Sequence, residues 1–274
     1  MSAPTRLGAG RHIVADTRPA STTTSVHELT TADGATVRGV LATVPGATTV
    51  VVLMHPRQDV THHPLVPPLL AAGAAVWTQH TRSVNNDLTL VHEQALLDVA
   101  AGLAFLRDRG FESVVTLGHS GGGTLFAFYA EQAGLPGPER IATTPGGRPT
   151  KLGEADLPQV DAAVFLAPHP GQGRLLLGCI DPSVADETDP LAAVPDLDPF
   201  DPRNGFAEPP TSSSFSTEFL ERFRVAQRDR VARIDARAHA ALARAAEARA
   251  VHKDRKSTRL NSSHSGESRM PSSA

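Results

Sequence analysis

The sequence predicts an α/β fold in which helices flank a mainly parallel sheet. Three observations support this prediction. Continuous apolar runs, which suit strands buried on both faces of a parallel sheet, recur at 48–54, 113–117 and 160–167. Segments with helical spacing of apolar residues separate these runs, as right-handed crossovers between parallel strands require. A Gly-x-Ser-x-Gly sequence then joins one of the strands to a helix.

The first predicted elements lie in the N-terminal third. Residues 1–24 are rich in Thr, Ser, Ala and Pro, and we expect them to form a loosely packed, flexible arm. Two strands, 26–31 and 35–43, flank Asp33-Gly34, which is a strong hairpin signal. The chain is then expected to continue as a buried strand, a loop, a short helix and a further strand, at 48–54, 55–59, 64–72 and 74–78.

A long helix and two more strands complete the predicted sheet. Asp87 is expected to cap a helix over 88–109, in which apolar residues recur at steps of three or four and which Gly110 ends. The strand at 113–117, a helix to about Ala133 and a buried strand at 160–167 follow. We therefore assign the core of the fold to residues 25–169.

The pattern changes after residue 169. Pro, Asp and Ser are frequent over 170–216, where strand candidates are few, and 217–250 is predicted to be one long helix. That helix carries eight Arg against five acidic residues, a mixture that suits a solvated helix over an apolar pocket better than a nucleic-acid face. Residues 170–252 are therefore expected to form a helical lid or cap insertion.

The last segment, 253–274, does not match the rest of the chain. Seven of its 22 residues are Ser, against 11 in the preceding 252, and it holds two of the three lysines. It lacks apolar periodicity, so we expect it to be disordered. It resembles translated adapter or vector read-through, and the native sequence is expected to continue differently past residue 252.

The segment around Ser120 carries the chemistry. In Gly118-His119-Ser120-Gly121-Gly122, a sharp turn between strand and helix would lift the serine hydroxyl out of the backbone as a nucleophile. Gly118 and Gly122 lack the side chains that would keep strand and helix apart, and they make a strained backbone at the serine tolerable. The alternative interpretation is a glycine-rich turn in which Ser120 caps the helix.

This elbow, with the strand at 48–54 and the loop at 55–59, resembles the α/β-hydrolase superfamily over roughly residues 26–170. The resemblance implies that Ser120 accepts an acyl group from the substrate. It also implies an oxyanion hole formed by the backbone N–H groups of Gly121 and Arg57. Pro56, which lies where the family often has glycine, has no N–H to give.

The resemblance further implies a catalytic acid and a histidine, in the order Ser, Asp or Glu, His, on loops after later strands. The candidate strands stop at 160–167, so we expect the acid and the histidine to be absent and the fold to be incomplete at its C-terminal strands. His169 is the best local candidate for a base and Asp181 for an acid, with an ordinary loop residue and a turn residue as the alternatives. His119 is expected to pack away from the reaction side.

Two other segments are candidates for metal sites. His55, His62, His63 and His80 lie close in sequence, but no carboxylate spacing typical of metal sites accompanies them, so they are expected at a pocket rim. The segment 196–205 resembles a calcium loop only faintly, because its glycine falls late and two prolines intervene. No metal and no cofactor is predicted.

Composition narrows the function classes. The net charge of −3 favours neither nucleic acid nor an anionic membrane as a partner. The single cysteine, Cys179, excludes an internal disulfide, and neither a secretion signal nor a run of eighteen apolar residues is present. We expect a cytoplasmic protein with a small-molecule acyl substrate.

The sequence-based hypothesis is a serine hydrolase that cleaves an ester or related acyl bond through an acyl-enzyme on Ser120 and is inactive as this fragment. A carbon–carbon bond hydrolase or an acyltransferase would share the elbow and stays open as an alternative. A non-catalytic binding protein that keeps the elbow without the base is a third possibility.

Overall fold

A six-stranded sheet lies at the centre of the first of two units, residues 1–172 and 173–274, into which the chain divides in the computed structural model. The structure describes residues 17–264. The strands are β1 (Thr23–Thr30), β2 (Thr36–Thr43), β3 (Thr49–His55), β4 (Ala75–His80), β5 (Ser113–His119) and β6 (Ala162–Leu166). Their order in the sheet is β1-β2-β4-β3-β5-β6. The first two pairings are antiparallel and the other three are parallel. The predicted fold class is therefore confirmed.

Three helices flank this sheet: α1 (Val66–Ala71), α2 (His92–Asp108) and α3 (Gly121–Ala133). The strand β3 shows why both faces are covered, because its side chains alternate between two apolar clusters. Val50, Val52 and Met54 join a cluster with residues of α2 and α3. Val51 and Leu53 join a second cluster with residues of α1. The continuous apolar run at 48–54 is thus explained by burial on both faces.

The N-terminal hairpin, the parallel strands β3 to β5 and the helix after Ser120 confirm the sequence-based assignments to within a few residues. The start of α2 differs. The helix begins at His92 with Val91 as its N-cap, and Asp87 does not cap it. The Asp87 carboxylate instead pairs with Arg57 Nε at 2.9 Å, and Leu88 is 99% exposed. The predicted flexible arm also ends earlier, because β1 begins at Thr23, while residues 1–16 lie outside the described residues.

The strand predicted to be buried at 160–167 is an edge strand. β6 pairs only with β5, and all five of its residues are exposed. The sequence prediction of burial was wrong because an apolar run reports hydrophobicity and not the position of a strand within the sheet.

Residues 173–264 hold most of α4 (Gln172–Cys179), a short hairpin of β7 (Val184–Asp186) and β8 (Asp189–Ala193), and α5 (Thr217–His264). The hairpin was not predicted, because neither of its strands contains a β-branched run. α5 continues beyond residue 252 to His264, so residues 253–264 are helical where disorder was expected. No Gly or Pro interrupts this stretch, so nothing local ends the helix. Residues 265–274 lie outside the described residues.

Among the described helices, none combines the length and the apolar character that crossing a bilayer requires.

A buried ion cluster ties the N-terminal hairpin to α2. Arg82, in the loop after β4, reaches Asp33 Oδ2 and Asp98 Oδ1, each at 2.6 Å. Asp98 Oδ2 also accepts the backbone N–H of Arg82 at 2.9 Å, and the Asp98 side chain is 0% exposed. Hydrogen bonds from Arg82 lower the pKa of Asp33 to about 2, whereas burial raises the pKa of Asp98. Both carboxylates therefore depend on the Arg82 guanidinium.

Candidate active site

Ser120 occupies a sharp turn between β5 and α3. Its backbone has φ 54° and ψ −121°, and the residue is exposed. A positive φ at a residue with a side chain stores strain, which the structure around it must hold in place. Ser120 N–H donates to Leu166 O at 3.0 Å, and Gly123 N–H donates to Ser120 O at 3.1 Å. Ser120 stands at the N-cap position of α3, but its side chain makes no capping hydrogen bond, so its hydroxyl does not serve as a cap.

Two glycines allow this turn. A Cβ at Gly118 would lie 2.4 Å from Gly123 Cα, and a Cβ at Gly122 would lie 2.3 Å from the carbonyl oxygen of Met54. Both distances are far shorter than a carbon can tolerate, and both atoms belong to the backbone, which cannot swing away. The close approach of strand and helix at the elbow thus requires glycine at both positions.

His55, the last residue of β3, lies beside the elbow. Its Nδ1 accepts the backbone N–H groups of Arg57 and Gln58, each at 3.1 Å. A backbone N–H can only donate, so Nδ1 carries no hydrogen and the neutral ring is protonated at Nε2. Burial, assisted by the nearby Arg57 guanidinium, lowers the pKa of His55 to about 4. The ring is therefore neutral at neutral pH.

The backbone N–H of Arg57 does not match its predicted role. It was expected to be the second oxyanion donor, but it donates to His55 Nδ1. The turn after β3 folds this N–H back onto the His55 ring, which explains the difference. Gly121, the other predicted donor, opens α3, and the first N–H groups of a helix have no acceptor within the helix. The positive end of the helix dipole also lies there.

His169 follows β6 and lies close to Gly121. Its Nδ1 accepts the N–H of Gly171 at 3.2 Å and lies 3.4 Å from Thr124 Oγ1, so its neutral ring is also protonated at Nε2. A general base needs an unprotonated nitrogen that faces the nucleophile. His169 therefore lacks the tautomer that a base requires, and among the side chains described up to residue 255 no imidazole forms a hydrogen bond with Ser120 Oγ.

His119 and His63 form a contact that the sequence analysis missed. The Nδ1 atom of His119 lies 3.1 Å from the Nε2 atom of His63. Leu65 N–H donates to His63 Nδ1 at 3.3 Å, so His63 Nε2 carries the hydrogen and donates to His119. His119 was expected to pack away from the reaction side, but it is exposed. No sequence signal joins two residues 56 positions apart, because their contact depends on the order of the strands.

The remaining candidates have structural roles in turns. Asp181 Oδ1 accepts Ser183 N–H at 2.8 Å, which is the turn that was the alternative to a catalytic acid. Asp198 and Asp201 in the calcium-like segment accept the backbone N–H groups of Phe200 and Arg203 in the same manner. Within the described part of the chain, no three His, Cys, Asp or Glu side chains gather in a metal-binding arrangement.

The buried neutral His55 predicts an acid-sensitive fold. A base whose pKa is depressed in the folded state contributes stability above its ordinary pKa of 6.5, and this contribution is lost as the pH falls toward the folded value of about 4. We expect His55 to account for about 3 kcal/mol of the lost unfolding free energy over that range. Urea unfolding of the wild type and of His55→Asn as a function of pH measures the contribution of His55 to the free energy of unfolding. Parallel pH profiles for the two proteins would contradict the assignment.

Comparison with solved structures finds likenesses over part of the chain. An esterase of Pyrococcus furiosus is 22% identical over 45% of this chain and 49% of its own length, with a TM-score of 0.36. Brefeldin A esterase, a bacterial homologue of human hormone-sensitive lipase, is 18% identical over 48% of this chain and 38% of its own, with a TM-score of 0.37. A post-proline cleaving enzyme of Rickettsia typhi is 14% identical over 41% of this chain and 19% of its own, with a TM-score of 0.36.

No family model and no curated protein matches the sequence. The chain spans about half the length of the Pyrococcus esterase and less of the other two structures. A mainly parallel sheet in which a strand turns sharply into a helix through a serine of positive φ is the α/β-hydrolase arrangement, and residues 23–172 have this fold.

Proposed function

We propose that the protein is a serine hydrolase that cleaves an ester or related acyl bond of a small molecule, with Ser120 as the nucleophile. The observation that carries this proposal is the backbone of Ser120, at φ 54° and ψ −121°, in an exposed residue directly after β5. A strained conformation at an exposed nucleophilic residue, supported by glycines that admit no substitute, is typical of a functional site.

The elbow is also suited to stabilise the negative charge that forms during acyl transfer. When Ser120 Oγ attacks a carbonyl carbon, the carbonyl oxygen becomes an oxyanion. The N–H of Gly121, in the first turn of α3, has no intrahelical acceptor and lies at the positive end of the helix dipole. The tetrahedral intermediate then expels the alcohol, and water hydrolyses the acyl-enzyme and regenerates the serine.

The step that this chain supports least is removal of the proton from Ser120. A serine hydroxyl at neutral pH needs a base within hydrogen-bond reach. His55 and His169 both hold Nδ1 as an acceptor for backbone N–H groups, so Nε2 bears the hydrogen in each neutral ring. We therefore expect turnover by this chain to be slow and to rise when a small external base is added.

Labelling with a fluorophosphonate tests the proposal. Ser120 Oγ would displace fluoride from phosphorus, its proton passing to solvent or to the added base. We expect a single adduct on Ser120, located by peptide mass spectrometry, that forms slowly in buffer and faster with added imidazole. Ser120→Ala should remove the adduct. Ser113→Ala, at the other end of β5, should leave the rate of labelling unchanged.

Two outcomes would contradict the proposal in different ways. If no adduct forms on Ser120 even with imidazole, the protein is not a serine hydrolase, and the non-catalytic alternative gains support. If Ser120 is labelled rapidly and imidazole has no effect, the nucleophile is right and an internal base has been overlooked.

A further inference from the structure

The imidazole of His55 faces the residue that follows the nucleophile. A Cβ built on Gly121 would lie 2.7 Å from His55 Nε2, so this nitrogen occupies the space beside the Gly121 backbone. The other ring nitrogen is held by two backbone N–H groups. The ring is thus fixed in orientation and in tautomer, with its one N–H at the end nearest the elbow.

We propose that His55 Nε2–H donates a hydrogen bond to the oxyanion that forms at Ser120, as the second donor beside the Gly121 N–H. This inference rests on the proposed function and identifies a catalytic side chain for it. It also accounts for the backbone N–H of Arg57, which was expected to fill this place. That N–H donates to His55 Nδ1, so it positions the ring that supplies the donor.

The charges around the ring keep it in the required state. Burial is the main reason that a second proton on the ring is disfavoured; Arg57, His119 and His169 act in the same direction, whereas Asp87 opposes them. The burial is extensive, since His55 is only 8% exposed. A neutral ring keeps Nδ1 as an acceptor and Nε2 as a donor, so His55 is suited to stabilise negative charge and unsuited to act as the general base.

This donor is in place before any substrate binds. A donor fixed by the protein avoids the reorganisation that water would need when the oxyanion forms, and loss of one such donor typically slows the reaction by about 100- to 1,000-fold. His169 also places its Nε2 near Gly121, 3.4 Å from the built Cβ. His55 is the stronger candidate because its nitrogen is nearer and two N–H groups, both from the backbone, hold its ring.

Two substitutions separate the donor from the structural role of the ring. In His55→Asn, the side-chain oxygen can take the place of Nδ1 and accept the N–H groups of Arg57 and Gln58, but no donor reaches the Nε2 position. In His55→Gln, the longer amide can place an N–H near the Nε2 position. We expect His55→Asn to lower the rate of Ser120 phosphonylation, measured with saturating imidazole, by about 100-fold. We expect His55→Gln to recover much of that loss.

His62→Asn is the matched control, because His62 is exposed in the loop that follows His55, and this variant should be labelled at the wild-type rate. Urea midpoints at neutral pH report any general loss of structure. If His55→Asn is labelled as fast as the wild type, the inference fails although the proposed function stands. If the wild type itself forms no adduct on Ser120, the proposed function fails and the inference fails with it.

A second readout does not depend on rates. Nitrogen-15 NMR of the free protein should show the His55 ring neutral and protonated at Nε2. In the phosphonylated protein the phosphonyl oxygen takes the place of the oxyanion, so the Nε2–H proton resonance should move downfield as its hydrogen bond strengthens. A ring protonated at Nδ1, or an Nε2–H resonance that does not move, would overturn the inference.

Discussion

Replacing Arg82 by Met is expected to lower the free energy of unfolding by about 3–5 kcal/mol, because the substitution leaves a buried carboxylate without its partner. Asp98 is 0% exposed, and Arg82 supplies it with a 2.6 Å ion pair. Asp33 loses its ion pair with the same guanidinium and the hydrogen bonds that are the main reason for its low pKa. Since a typical domain has only about 5–15 kcal/mol of stability in total, the variant should be close to unfolding.

The control for this prediction is Arg38→Met. Arg38 pairs with Glu28 at 2.8 Å, but the two side chains are 61% and 60% exposed. An exposed pair of this kind is worth about 0–1 kcal/mol, since water screens both charges. Urea unfolding of both variants beside the wild type gives the comparison. Equal losses in the two variants would show that burial of the Arg82 cluster does not determine its contribution.

Substituting Ala for Gly122 is expected to destabilise the fold by about 3 kcal/mol and to abolish labelling of Ser120. The added Cβ would meet the backbone oxygen of Met54 at 2.3 Å, and relief requires α3 to move away from β3. A displacement of about 1 Å at a catalytic group can cost 100-fold in rate, so the elbow would lose its geometry even if the protein stayed folded.

Gly173→Ala is the matched control, because a Cβ there meets nothing within 4 Å in α4. Alanine in a helix is about 0.5–1 kcal/mol more favourable than glycine, so this variant should be slightly stabilised. Thermal melts and the rate of Ser120 labelling measure both effects. A Gly122→Ala protein that melts and reacts like the wild type would show that the strand and helix are not closely packed at the elbow.

Much of the fold was predictable because it depends on patterns within short segments. The hairpin at Asp33-Gly34 follows from turn chemistry, and the strands β3 and β5 follow from runs of β-branched residues. The errors arose where one local pattern is compatible with two different structures. The apolar run at 160–167 became an exposed edge strand, and the Ser-rich segment after residue 252 continued α5 as far as His264.

The candidate site divides in the same manner. The sequence by itself determined the sharp turn at Ser120 and the need for glycine on either side of it, because steric limits at such a turn act between neighbouring residues. Tertiary structure alone decided that His55 meets Gly121, that His63 meets His119, and that Arg82 joins Asp33 to Asp98. Those side chains are brought together by the order of strands in the sheet. That order minimises the free energy of the whole packed core and is not encoded in any one segment.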